Sequence, residues 1–207
     1  MAASDAFAPP EAAPPSTTSL RLLDAAAALI DERGIDRITM TDVAVRAGVS
    51  VGTAYRHHAD RDALVRALFD RHTALAHRML VEAASTPHGS LESDVRALLD
   101  ATLRVHRTVP AYQAVRTWQW LRPEARGDRT VAVEALAGAL SDVLAPRWGV
   151  AQDEGHRERI VDAIRRADAL VLASFLDDPT MDDAAIDGVL AAVEAMLVPV
   201  LRADVVA

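Results

Sequence analysis

The chain has 207 residues, 51% of them hydrophobic, and a formal net charge of −8, which suits one or two domains with a real core. It contains no cysteine, which excludes a disulfide framework and a thiolate metal site. The acidic balance argues against simple nucleic-acid binding, where a basic domain is expected.

Residues 1–18 are mostly Ala, Pro, Ser and Thr and read as a mobile tail. They carry neither the basic region nor the apolar core of a signal peptide. No apolar run is expected to reach the length of a membrane span, and a cytoplasmic location is expected. A first helix is predicted from about Ser19 to Arg33, with Leu22, Leu23, Ala26, Leu29 and Ile30 on one face and Gly34 as its stop.

The next stretch organises the chain. Thr39 is a good N-cap and Asp42 follows at the third helical position, close to a capping box. Val43, Ala44 and Ala47 make an apolar face. Gly48 sits where a helix end wants a left-handed residue, and Val49 is the apolar plug of the turn. Ser50 caps again, Val51 to His57 form a second short helix, and Asp60 caps a third. A small alanine, a glycine four residues later, then Val-Ser and a new helix is the pattern of a helix-turn-helix. In such a unit the second helix lies in the DNA major groove.

A long helix follows from Arg61 to about Ala84, with Leu64, Leu68, Leu75 and Met79 at helical spacing. Thr86 to Gly89 is a break. Leu91, Val95, Leu98, Leu99 and Val105 define the next helix. Pro110 starts another or kinks this one; Tyr112, Val115, Trp118 and Leu121 follow, closed by Pro123. Val131 to Leu144 is predicted helical, ended by Pro146 and Gly149. A helix from about Glu154 buries Ile160, Ile164, Ala167, Val171 and Phe175 and stops at Asp177-Asp178-Pro179. Thr180 is expected to cap the last helix, with Asp182 and Asp183 in its first turn. That helix presents Ile186, Val189, Leu190, Val193, Leu197 and Leu201. No strand or internal repeat is evident, so the expected class is all-α with about nine helices.

The order of a helix carrying Leu22 to Ile30, Gly34, a Thr-capped helix, Ala47-Gly48-Val49-Ser50, Thr53, Tyr55 and then Arg61 opening a long helix resembles the N-terminal DNA-binding domain of the TetR/AcrR transcriptional regulators. The resemblance is specific over residues 19–70 and rests on length and helical content beyond. It implies a three-helix DNA-binding domain over 19–65 and a helical effector-binding and dimerisation domain over 66–207. It places Val51, Gly52, Thr53, Tyr55, Arg56 and His57 on or near DNA, with the Ser50 cap before them. Thr39, Thr41 and Arg61 would touch phosphates from helix ends. The last two helices would form a dimer bundle through Ile164, Val171, Phe175, Val189, Val193 and Leu197; the alternative is that these stripes close the monomer's own core. An effector pocket among the middle helices would draw on Tyr112, Trp118 and Trp120, with His106 and Arg116 as polar groups; the alternative is ordinary core packing. His58 stands where the family usually has phenylalanine.

From Pro15 to Arg61 six arginines face six acids, so the acidic excess lies elsewhere. Every basic side chain is arginine, which suits phosphate and guanine contacts; Arg usage throughout also fits a GC-rich coding sequence. The histidines do not form a metal set. His57 and His58 point apart, His72 and His77 are five apart, and Asp153 with His156 is a single D-x-x-H where a di-iron bundle needs paired elements. No phosphate loop, G-x-S-x-G or H-E-x-x-H appears. No cofactor, metal or catalytic residue is expected. The sequence therefore reads as a homodimeric, non-enzymatic regulator on near-palindromic duplex DNA, most simply a repressor released by a small apolar or aromatic effector. A helical-bundle enzyme and a protein–protein interaction module are the rivals.

Overall fold

The computed structural model describes residues 16–122, 126–178 and 180–202, and the side chains of 126–132 are outside that description. The expected tail falls outside the described residues up to position 15, as do Pro123 and Pro179, expected as helix stops. The described residues hold nine α-helices and no strand. They are α1 (Thr17–Arg33), α2 (Met40–Ala47), α3 (Val51–His57), α4 (Arg61–Ser85), α5 (Leu91–Thr108), α6 (Tyr112–Trp120), α7 (Arg126–Trp148), α8 (Glu154–Asp177) and α9 (Asp183–Arg202), with a 3-10 turn at Ile35–Arg37.

The helices fall into two compact units, and the division runs through α4 after Leu75. One unit gathers residues 16–75 with 108–122, and the other 76–107 with 126–202. The segment carrying α6 joins the N-terminal unit. The reason is packing: Ala111, Val115 and Trp118 are buried in one cluster with Leu22, Val43, Leu64 and Leu68. Leu22, Leu64 and Leu68 are fully buried, worth roughly 1.5–3 kcal/mol each.

α6 enters this unit through a strained residue. Ala111 has φ 60, a left-handed conformation that costs an L-residue roughly 1–2 kcal/mol. Its N–H donates to Asp31 Oδ1 of α1 at 2.8 Å, and His72 lies against the Tyr112 ring at 5.5 Å between centroids.

In the C-terminal unit, α8 and α9 turn their apolar stripes on each other and on α5 and α7. Ile164, Val171, Phe175, Val193 and Leu197 are all buried within the chain, and Val189 is half-buried. Within one chain these stripes close the core, the alternative that the sequence left open. The cap of α9 is corrected. Asp182 accepts the Ala185 N–H at 2.8 Å, whereas Thr180 turns back to Asp178. Pro146 does not stop α7 but lies inside its last turn.

α9 is long and apolar enough, by length and composition, to cross a membrane, with mean hydropathy 1.9 over an 18-residue window; the sequence expectation that no run approaches a span is corrected. Its alanines and valines raise the average. Its buried stripe lies in the core, and two of its three acids, Asp187 and Glu194, reach Arg96 on α5 at 2.6 and 3.8 Å, while the third, Asp183, pairs with Arg107 at 3.3 Å.

Asp94, in the first turn of α5, is 1% exposed. It accepts from Arg147 Nη1 (2.7 Å), Trp148 Nε1 (2.8 Å) and the His88 backbone N–H (2.7 Å), with His88 Nδ1 at 3.1 Å. Burial pushes this carboxyl up, but the bonds from Arg147, Trp148 and His88 overcome burial and hold it at about 2. One ionised group thus ties the α4–α5 connection to the end of α7.

Candidate nucleic-acid interface

The interface is built on α2 and α3. Thr39 accepts the Asp42 N–H at 3.1 Å while Asp42 Oδ2 accepts the Thr39 N–H at 3.1 Å, a complete capping box. The Thr39 hydroxyl and the Thr39 N–H both donate to Asp42 Oδ2 and, with Arg33 3.6 Å away, hold this carboxyl below its usual range. α2 ends at Gly48, with φ 64. A Cβ there would lie 3.0 Å from the Arg21 guanidinium, the movable end of a long side chain, so it is the left-handed conformation that calls for glycine. Arg21, on α1, donates to the Ala47 and Gly48 carbonyls and fastens the turn from outside. No local sequence signal marks that role, because its partners are more than twenty residues away.

Ser50 accepts the Thr53 N–H at 3.0 Å and starts α3. Of the seven residues of α3, Ala54 alone is buried. Val51, Gly52, Tyr55, Arg56 and His57 are exposed, as are Thr39, Thr41 and Ser50; Thr53 and Arg61 are half-buried. The structure therefore brings all ten expected contact residues onto α2, α3 and the start of α4. Tyr55 is 51% exposed, which excludes a core role. Arg56 donates to Thr53 Oγ1 at 3.2 Å and has no carboxylate partner among the described residues. Its neighbours differ: Arg46 pairs with Glu32, Arg33 with Asp42 and Arg61 with Asp62. Val45, 74% exposed beside them on α2, went unremarked in the sequence because it breaks the apolar face.

His58 ends α3, is 8% exposed, and its Nε2 has no hydrogen-bond partner among the described residues. Burial, with the His57 charge second, lowers its pKa, so a neutral imidazole packs there.

The expected effector residues are divided between the two units. Tyr112 and Trp118 are buried in the N-terminal unit, where the Arg122 guanidinium covers the Trp118 ring at 4.0 Å. Arg116 and Trp120, on the same helix, are half-buried. His106 belongs to the C-terminal unit and stacks on Phe175 at 4.8 Å. The described cavity of the C-terminal unit is lined by none of the five.

Comparison with known proteins places this geometry. Residues 22–68 match the family model described as bacterial regulatory proteins, tetR family. A TetR-family transcriptional regulator from Streptomyces coelicolor superposes with a TM-score of 0.71 at 27% identity, covering 89% of this chain and 98% of that one. An uncharacterized HTH-type transcriptional regulator of Mycobacterium bovis is 24% identical over 169 residues, 82% of this chain and 88% of that protein. The HTH-type transcriptional repressor BepR of Brucella suis is 28% identical over 124 residues, 60% and 59% of the two chains.

Proposed function

We propose that this chain, a member of the TetR family of DNA-binding transcriptional regulators, acts as a homodimeric repressor that a small molecule releases from its operator. The observation that carries the reading is α3. A helix that buries one alanine and displays Tyr55, Arg56 and His57 contributes little to the core. Its exposed side chains suit major-groove contacts. Arg56 reads a base or binds phosphate, Tyr55 donates to phosphate, and Thr39 and Thr41 meet the backbone beside the α2 N-terminus. The relative in Brucella named as a repressor supports the sense of regulation.

Dimerisation is carried by the outward side of α9. Ala184, Gly188, Ala191, Ala192, Ala195 and Pro199 are exposed there, and they fall on one face at helical spacing. Six small uncharged residues on a helix surface let a second helix approach closely. A two-fold dimer then needs half-sites about one helical turn apart, roughly 34–36 Å, or a multiple.

The test is selection from a random duplex library followed by a mobility-shift titration. A near-palindromic sequence is expected, bound two chains per site, with affinity falling steeply as salt rises. A library with no enriched sequence would overturn the reading.

A further inference from the structure

Asp62, in the first turn of α4, carries two arginines. Arg61 Nη2 lies 3.4 Å from its Oδ1, and Arg122 Nη1 lies 3.2 Å from its Oδ2. The two cations come from different parts of the chain. Arg61 opens α4 and is an expected phosphate contact, whereas Arg122 stands just past the end of α6. All three residues belong to the N-terminal unit.

Arg122 is held in this position. Its guanidinium lies 4.0 Å over the Trp118 ring, and Trp118 is buried in one cluster with Leu22, Val43, Leu64 and Leu68. A planar guanidinium stacks by its face and still donates from its edge, so the ring and the carboxylate engage it together. The other end of α6 is fixed by the Ala111 N–H, which donates to Asp31 of α1 at 2.8 Å. The unit that carries α3 thus receives a cation from a segment outside the helix-turn-helix.

The charge balance decides what that cation does. Arg33 with Asp42 and Arg46 with Glu32 are one-to-one pairs, each neutral as a set, and a phosphate approaching either meets a carboxylate beside the guanidinium. Arg61 with Asp62 alone would be the same. Arg122 makes the set two cations to one acid and occupies the second carboxylate oxygen. The longer of the two contacts is the one from Arg61, which is therefore the looser partner.

We propose that Arg122 is a positioning residue for DNA binding: it neutralises Asp62 and so frees Arg61 to pair with a backbone phosphate. Asp62 has the opposite sense, restraining Arg61 and opposing binding. The assignment rests on the proposed DNA-binding function.

The test titrates the full-length chain and its variants into a labelled duplex enriched from the random library, by fluorescence anisotropy over a series of salt concentrations. Arg122→Gln weakens binding about threefold or more and makes log K fall less steeply with log salt, by about 1 per chain, the share of one phosphate contact. Asp62→Asn tightens binding by about the same factor and steepens the slope. The double variant binds as Asp62→Asn does, and Arg61→Ala removes the effect of both. An ion pair with only a structural role predicts otherwise. Both substitutions break the same contact, so both would act in one direction, on the melting temperature and not on the salt slope. Equal losses of binding in the two variants, or slopes unchanged in both, overturn the proposal. Should Arg122→Gln not fold, Asp62→Asn carries the test alone, and weaker or unchanged binding with it overturns the proposal. A library with no enriched duplex overturns the regulator function and this assignment together. An enriched duplex indifferent to Asp62 and Arg122 overturns this assignment alone.

Discussion

Asp94→Ala is the substitution whose cost the structure fixes best. The carboxylate is 1% exposed and accepts from Arg147, Trp148 and His88. Its removal strands the indole N–H and the His88 amide. Arg147, whose side chain is 23% exposed, keeps the Ala84 carbonyl at 3.1 Å as its one hydrogen-bond acceptor among the described residues. Breaking a buried pair from one side costs about 3–5 kcal/mol, and the partial exposure of Arg147 favours the lower end. The ionisation gives an independent figure. A carboxyl held at about 2 rather than 3.8 contributes about 2 kcal/mol near neutrality. That part is fully present above pH 3.8 and is lost as pH falls through 2. Together these give a loss of about 2–4 kcal/mol, or roughly 4–16 °C in Tm for a chain of this size. Urea unfolding followed by circular dichroism measures it. A loss under about 0.5 kcal/mol, the level of an ordinary surface substitution, would refute the hub.

Acid should destabilise the protein well above the carboxylate range. Burial, with Arg71 second, lowers His72 to about 4, and burial lowers His58 and His77 as well. The unfolded chain therefore takes up protons from pH 6.5 downward that the folded chain refuses, and His72 alone should cost up to about 3 kcal/mol by pH 4; His72→Phe should flatten that slope in unfolding measured against pH. Arg56→Ala should weaken DNA binding by about 1–3 kcal/mol at its position with no change in melting temperature, and a collapse of the melt would make the residue structural. Ala195→Glu should yield a folded monomer in sedimentation, whereas Val193→Asp, at a position 1% exposed, should unfold the chain because an unpaired buried charge costs several kcal/mol. A folded, monomeric Val193→Asp would return the dimer face to the inner stripe.

What could be read in the sequence was what is written within a few residues. Thr39 with Asp42, Gly48, and Ser50 before α3 act on neighbours three or four positions away, and the structure keeps each where the spacing puts it. Periodicity also found the stripe of Val193 and Leu197, but a stripe says that a face is buried and not against what; here α8 is the answer. Thr180 and Asp182 are both good caps two residues apart, and only the Ala185 amide decides between them. The α6 aromatics were legible as apolar. Their burial with α1 and α4 depends on partners such as Asp31, 80 residues from Ala111, and no local pattern carries that. Asp94 reads as one more acid in a first helical turn until Arg147 and Trp148 arrive beside it.

The thin attachment of α3 has a consequence for how such a chain diversifies. Stability constrains Ala54, which is wholly buried, and in part Thr53. Exposed positions away from caps and networks shift stability by no more than about 0.5 kcal/mol when substituted. Val51, Tyr55, Arg56 and His57 are such positions. Marginal stability, which filters most changes in a protein of this size, exerts almost no filter on them. On the proposed reading of α3 as the DNA-reading helix, the DNA preference of a lineage can therefore drift one side chain at a time while its fold stays fixed, and two chains alike in every core position can answer to unrelated sequences.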